Sequence, residues 1–338
     1  MANFIMLVGL SGSGKSTYAE KICKQTGAVH LASDKVRDAI YGTRRIQDNP
    51  SLIFEICQKA AIENLIRGRS VVLDATNLIS KNRTQTLQAI KKAVPETHCE
   101  AHVIVNEFDE CIKQNVRREF AVPRTVIERQ VRQFQIPFDE EGWDRIRLVP
   151  PKEYIFSDNM ILRYIAQEIH RLGDDFDQHT PYHSFTLGEH CRNVDHYICD
   201  NYFLKKDVDD LTIEDVALAT AAEIHDYGKL LGHTEDDNGV WHYYGHAEIG
   251  AYQILCDCLR KSVPTDINRS ILDGSYEATI EMIIHTVFYV NYHMLPFNWR
   301  NEKEHNKAKA LYGEEKYKLL MLLHEADLVG KVFDKEVK

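Results

Sequence analysis

Three groups of residues in this 338-residue chain have types and spacings that could do chemistry. The first is Gly9-Leu10-Ser11-Gly12-Ser13-Gly14-Lys15-Ser16-Thr17, which satisfies GxxxxGK(S/T). Its glycines let successive backbone N–H groups turn inward onto phosphate oxygens, and the helix that follows adds its positive end. Gly9, Ser11, Gly12, Ser13, Gly14, Lys15, Ser16 and Thr17 would line that nest. Lys15 would reach the β- and γ-phosphates and the Ser16 hydroxyl would hold Mg²⁺, so ATP or another nucleoside triphosphate with Mg²⁺ is the expected cofactor. A plain glycine-rich turn, as in a dinucleotide fold, lacks the GK(S/T) ending.

The second group follows on from the first. Asp34 and Arg37 lie 19 and 22 residues beyond Lys15. A carboxylate there can accept the proton of an attacking hydroxyl, while Arg37, one helical turn on, can hold a phosphate of the acceptor. Ser33 or Asp34 could instead cap a helix and leave Arg37 on the surface. Asp74, in Asp74-Ala75-Thr76-Asn77, could fix Mg²⁺ or its waters, or could cap a helix as Asn77 could. Arg117, Arg118, Arg124, Arg129 and Arg132 flank Ala121-Val122-Pro123. A helical hairpin bearing them could close over a nucleotide and neutralise the transferring phosphoryl group, with Arg117 and Arg118 the expected contacts. The other arginines read as a solvated face.

The third group is histidine-rich: residues beyond 155 hold 13 of the 16 histidines. His190 ends Leu187-Gly188-Glu189-His190, and His225-Asp226 precedes Tyr227-Gly228-Lys229. His246 opens His246-Ala247-Glu248, His285 ends Met282-Ile283-Ile284-His285, and Asp327 ends His324-Glu325-Ala326-Asp327. Imidazole and carboxylate groups on several helices can surround a divalent metal and leave positions open for water and substrate. Such a metal lowers the pKa of bound water, and Lys229 can pair with a phosphate. Any single member could also be a buried His–Asp hydrogen bond in a helical core.

The elements that must position these groups differ between the halves. Apolar runs Phe4–Val8, Ala28–Ala32, Ser70–Asp74 and His102–Val105 alternate with helical segments Lys15–Lys24, Lys35–Tyr41, Leu52–Arg67, Asp109–Arg118 and Thr125–Phe134. This predicts a parallel sheet with helices on both faces, with Gly9, Asp34 and Asp74 at the carboxyl ends of strands, where such folds keep their chemistry. Pro150-Pro151 breaks the pattern. Helical segments then follow at Asn159–Leu172, Leu187–Phe203, Ile213–Gly228, His246–Leu259, Glu277–Tyr292 and Glu314–Val332. A boundary is expected between Val149 and Asp158, giving an α/β domain over 1–152 and an all-α domain over 153–338.

Composition supports two modules. Residues 1–155 carry 23 Lys+Arg against 19 Asp+Glu, whereas residues 156–338 carry 18 against 32. An acidic chain grips long nucleic acid poorly, so a polynucleotide would be engaged at an end, over a few phosphates. The eight cysteines form no CxxC pair and suggest a reducing, cytoplasmic setting. No apolar run is long enough for a membrane span, and the first strand begins too near Met1 for a removable leader to be expected. Oligomeric state is not legible.

Gly9–Thr17, the Ser33–Gly42 segment, Val71–Asn77 and Arg117–Arg129 together resemble the polynucleotide 5′-kinase branch of the P-loop phosphotransferases. The resemblance covers about residues 3–150. It implies that Asp34 is general base for a 5′-hydroxyl, Arg37 a contact to an acceptor phosphate, and Arg117 a contact to the donor phosphates. The order H…HD…H…H…D resembles the HD phosphohydrolase superfamily, over about residues 157–338. That resemblance implies an all-α HD domain in which His190, His225, Asp226 and Asp327 hold one divalent transition metal (Mn, Ni, Co, Fe or Zn). His246 and His285 match the further ligands of two-metal members. His183 and His324 have no firm place in it. Phe176–His190 is also similar to the HD domain of bacterial tRNA nucleotidyltransferases.

Together these imply a bifunctional end-healing enzyme acting on nucleic-acid ends, RNA favoured. It would phosphorylate a 5′-OH and remove a 2′,3′-cyclic, 2′- or 3′-phosphate. No KxDG ligase signature is present, so a separate ligase would be the partner. Two alternatives stay open: a nucleoside or metabolite kinase fused to a nucleotide phosphohydrolase, and an NTP-gated sensor.

Overall fold

Apolar residues on both faces of β1 (Asn3–Val8) place it inside a sheet covered on both sides. Phe4 and Met6 pack with Ile53 and Cys57 of α3 (Pro50–Ile66) and Leu87 of α4 (Ser80–Ala93). Leu7 faces the other way, against Ala19 of α1 (Lys15–Thr26). In this computed structural model, residues 2–43, 49–150, 160–260 and 275–331 are described. The chain divides into two compact units, Met1–Glu153 and Tyr154–Lys338. From residue 151 onward, the expected boundary region lies outside the described residues.

The first unit is a five-stranded parallel sheet of order β2-β3-β1-β4-β5. Its other strands are β2 (Val29–Ala32), β3 (Val71–Asp74), β4 (His98–Ile104) and β5 (Arg145–Val149). Ala32 pairs with Asp74, so the carboxyl ends of β2 and β3 are level. α2 (Ser33–Tyr41) starts directly from β2 and puts Asp34 at that end. α5 (Phe108–Val116) and α6 (Arg124–Val131) flank the arginine-bearing turn. β5 is absent from the expected strands because Arg145 and Arg147 alternate with Ile146 and Leu148, the pattern of an edge with one solvated face.

The second unit is helical: α7 (Met160–Gly173), α8 (Leu187–Asn201), α9 (Ile213–Ile224), α10 (His246–Arg260), α11 (Ser275–Tyr292), α12 (Glu302–Tyr312) and α13 (Glu314–Val329). It is not all-α, because Thr234–Glu235 (β6) and Trp241–His242 (β7) form an antiparallel hairpin. Two residues a side are too few to leave an alternating pattern. α9 stops at Ile224 rather than continuing to Gly228, and Tyr227–Leu231 forms a 3₁₀ turn. A Cβ on Gly228 would fall on the His246 carbonyl, so only glycine lets this turn press against the start of α10.

Candidate active sites

The glycine loop forms as its sequence requires. Gly12 and Gly14 take φ of 82° and 100°, in the region that favours glycine, and a Cβ on Gly12 would strike the Cys111 carbonyl. α1 has no side-chain cap, so its first N–H groups are left for an anion. Lys15 is buried and donates to the Leu10 carbonyl at 2.6 Å. Burial pushes its ammonium down to about 8, with Asp74 pulling the other way. Ser16 and Thr17 are exposed at the loop's open side, while the buried Ser13 hydroxyl makes no hydrogen bond.

Asp74 is buried at the end of β3, where His30 Nε2 lies 3.1 Å from its Oδ2. Burial alone would raise its carboxyl, but the His30 hydrogen bond, Lys15 and the Ser16 hydroxyl outweigh it and hold the group below its ordinary value. Ser16 and Asp74 thus meet, as a Mg²⁺ site requires. Asn77 acts on the backbone instead. With φ of 47° it donates to the Leu7 carbonyl at 2.7 Å and fastens the end of β1. Asp34 is 40% exposed and faces Arg118 Nη2 at 3.2 Å and Arg37 Nη1 at 3.6 Å. Arg37 is buried and its Nε makes no hydrogen bond, leaving a donor for an incoming oxyanion. Of the two expected lid arginines, Arg118 is the one at Asp34, while Arg117, capping α5, is exposed. Gln130 of α6 brackets Ser11, accepting from its N–H at 2.8 Å and donating to its Oγ at 3.0 Å. His30 and Gln130 carry no motif and are visible only in the fold.

In the second unit, His190, His225, Asp226 and Asp327 gather their ligand atoms in one nest, and Asp226, His246 and His293 do so in another. His190 Nε2 lies 3.2 Å from His225 Nε2, 3.2 Å from Asp327 Oδ1 and 3.3 Å from Asp226 Oδ2. Asp226 turns its other oxygen, Oδ1, to His246 Nε2 at 3.1 Å and His293 Nε2 at 3.6 Å. All six side chains are buried. A capping box at Thr186 and Glu189 starts α8 and fixes the turn that carries His190.

The ring tautomers decide what these nests can hold. Nδ1 of His190 donates to Gly330 O at 3.0 Å, His225 to Ala222 O at 3.0 Å, His246 to Tyr243 O at 2.8 Å and His293 to Val290 O at 2.8 Å. A carbonyl can only accept, so each Nδ1 carries the proton and each Nε2 of a neutral ring points a lone pair inward. Four lone pairs and two carboxylates therefore converge. Asp226 Oδ2 is buried and makes no hydrogen bond, although Lys229 Nζ is 2.7 Å away. For both Asp226 and Asp327 burial is outweighed, by Lys229, His225, His190 and His246 at the first and by His190, His225 and Lys331 at the second, so both carboxyls are held well below the ordinary range. His190 is raised in spite of its burial by Asp226 and Asp327, which marks a spot that attracts positive charge. Nitrogen and oxygen donors so arranged fit a divalent transition metal in each nest.

His285 does not join them. It lies within α11, where Nδ1 meets Glu214 Oε1 at 2.7 Å, and Lys316 and Tyr289 bind the same carboxylate. His293, just past the end of α11, takes the place expected for His285. His225, His246 and His293 each bond a carbonyl three residues back at a helix end, so position relative to a helix terminus is the signal that separates His293 from His285. Lys229 is buried against Asp226 and also contacts Gln178 Oε1 at 2.8 Å and His183 Nε2 at 3.2 Å. Burial, reinforced by Lys229, drives His183 down to about 2. His324 packs edge-on to Phe297, outside both nests.

Residues 4–137 match the family model described as an AAA domain. That stretch holds the glycine loop, Asp34, Asp74 and the arginines. No curated protein matches the chain. Among solved structures, an inferred kinase from Chloroflexus aurantiacus J-10-fl is 16% identical, with 50% of this chain and 97% of that one covered and a TM-score of 0.39. A gluconokinase from Sinorhizobium meliloti 1021 is 17% identical, with 44% and 82% covered and a TM-score of 0.32. The Pnkp1/Rnl/Hen1 RNA repair complex contains a chain that is 22% identical, with 46% and 52% covered and a TM-score of 0.35. No described helix is long and apolar enough to cross a membrane.

Proposed function

We propose that the chain heals nucleic-acid ends, RNA favoured, by phosphorylating a 5′-OH in its first unit and hydrolysing a terminal 2′,3′-cyclic, 2′- or 3′-phosphate in its second. The observation that carries the reading is the pair of histidine–carboxylate nests sharing Asp226, in the same chain as a P-loop equipped with an acceptor-side carboxylate. In the first unit, Lys15 and the loop N–H groups hold the donor phosphates, and Ser16 with Asp74 would hold Mg²⁺. Asp34 takes the proton of the attacking hydroxyl, Arg37 holds an acceptor phosphate, and Arg118 offsets charge on the transferring group.

In the second unit, His190, His225, Asp226 and Asp327 would hold one divalent metal and Asp226, His246 and His293 another. A bound metal supplies Lewis acidity and makes water acidic enough to attack phosphorus near neutral pH. Lys229, fixed by Gln178 and His183, pairs with a phosphate oxygen. The domain reading, an HD-type phosphohydrolase over 153–338 after a P-loop kinase over 1–152, belongs to the same proposal, as do a cytoplasmic setting and a separate ligase as partner.

The test uses an RNA with a 5′-OH and a 2′,3′-cyclic phosphate, ATP, and protein stripped of metal and then reloaded with Mn²⁺, Ni²⁺, Co²⁺, Fe²⁺ or Zn²⁺. Phosphate should appear at the 5′ end and the cyclic end should open, the second step depending on the reloaded metal. Phosphorylation of free nucleosides alone, with both RNA ends untouched, would sink the reading.

A further inference from the structure

Asp226 and Asp327 each pair with a lysine, but the two lysines take different kinds of oxygen. Lys229 Nζ lies 2.7 Å from Asp226 Oδ2, the oxygen that also faces His190 Nε2 at 3.3 Å. Lys229 therefore shares an oxygen with the nest itself. Lys331 Nζ lies 2.8 Å from Asp327 Oδ2, whereas Oδ1 is the oxygen that faces His190 Nε2 at 3.2 Å and His225 Nε2 at 3.8 Å. Lys331 holds the back of its carboxylate and leaves the front to the nest.

An exposed Asp–Lys pair four residues apart on a helix contributes little. This pair is not exposed: the Asp327 side chain is 3% accessible and that of Lys331 16%. The Lys331 ammonium also lies 4.6 Å from the centre of the Phe297 ring, and its carbonyl accepts the Ser184 N–H at 2.9 Å. Gly330, just before it, accepts from His190 Nδ1 at 3.0 Å. A Cβ on Gly330 would stand 3.3 Å from that nitrogen and 2.9 Å from Val194 Cγ2, so the turn after α13 presses closely on the ring. Gly330 and Lys331, past the end of α13 at Val329, thus hold two members of one nest from behind. One fixes a ring through its proton, the other a carboxylate through its second oxygen.

We infer that Lys331 is a positioning residue that confines Asp327 to a single ligand oxygen in the nest it shares with His190, His225 and Asp226. The inference rests on the reading of that nest as the metal site of a phosphohydrolase. A carboxylate with both oxygens free can bind a divalent ion through both. The extra oxygen would take a position that water or substrate needs. The ammonium also opposes a divalent charge on the far side of the carboxylate. Lys331 therefore lowers the affinity of the nest and keeps it open. An ion pair that only holds the end of α13 in place predicts the opposite sign, because its loss would loosen the nest and weaken metal binding.

Calorimetric titration of Co²⁺ into metal-free, full-length protein reads the first binding step, and the visible absorption of bound Co²⁺ reads its ligand set. Lys331→Met should tighten that step about tenfold and change the spectrum, whereas Lys331→Arg, which keeps charge and donors, should match the unaltered protein in both. Lys331→Gln keeps a donor without the charge and should also tighten the step, so the sign is read even if Lys331→Met does not fold. A first step that is unchanged or weaker in these uncharged variants, or an arginine variant that behaves like them, would overturn the inference. With Mn²⁺-loaded protein and an RNA ending in a 2′,3′-cyclic phosphate, Lys331→Met should lower kcat about tenfold and leave KM within about twofold. A raised KM with kcat kept would make Lys331 a substrate contact and overturn the positioning role. If Lys331 governs Co²⁺ binding while even the unaltered protein leaves the cyclic end closed, the phosphohydrolase reading fails and the positioning role stands. A protein that takes up no Co²⁺ overturns both.

Discussion

A neutral imidazole has one proton to place, and in four rings of the second unit backbone carbonyls have placed it. That makes His293 separable from His285 by experiment. His293→Ala should lower bound metal from two ions to one by elemental analysis, with the fold kept. His285→Ala should leave both ions and cost about 1–3 kcal/mol in denaturant unfolding, because it removes a partner from the buried Glu214 carboxylate. If the two variants bind equal metal, the assignment is wrong. In the first unit, Asp34→Asn should keep ATP affinity and lower the phosphorylation rate about 10²–10⁴-fold, since it removes a proton acceptor and not a phosphate contact. A matching loss of ATP binding, measured by equilibrium dialysis, would assign Asp34 to the nucleotide instead.

At the scale of elements, helices and strands serve mainly to deliver their ends. β1, β2 and β3 deliver Gly9, Asp34 and Asp74, and the ends of α9, α10 and α11 deliver His225, His246 and His293. The middle of the second bundle is tied instead by Glu214 with His285, Lys316 and Tyr289. Burial would raise the Glu214 carboxyl, but the His285 hydrogen bond and Lys316 outweigh it and hold it at about 2. A folded-state value below the unfolded one adds stability that is complete above the ordinary carboxyl range and is lost as pH falls toward 2. Glu214→Gln should therefore flatten the acid limb of unfolding, and at neutral pH it should cost about 1–3 kcal/mol by weakening the charged hydrogen bonds that Glu214 makes with His285 and Lys316. An unchanged acid limb would show that other carboxylates govern it. The P-loop was legible because its chemistry lies within nine consecutive residues, and the strand ends because buried parallel strands read as apolar runs. His293 was not, because its partners His246 and Asp226 are 47 and 67 residues away and a histidine inside α11 fits the same ordering. Nor was the reach of Arg118 to Asp34, 84 residues apart, since neighbouring arginines on a turn look alike until one of them points inward.

The chain divides into two units with the excess acidic charge in the second, and the proposed function assigns one chemistry to each. Lys15→Ala should abolish 5′-phosphorylation and spare hydrolysis at the other end, while Asp226→Ala should do the reverse. Loss of both activities in a variant that folds, judged by circular dichroism, would show that the sites depend on each other. Asp226 itself offers one oxygen to each nest. Two divalent charges sharing one carboxylate would repel across a few ångströms, so that filling one nest would weaken the other. The nest with His190, His225 and Asp327 has a second carboxylate, so it should fill first. Calorimetric titration should resolve two steps, and a single steep one would argue against the ranking. Between those steps the protein would stand half-charged, and under the proposed function the supply of a metal ion would act as a rheostat on how much of it is fully armed.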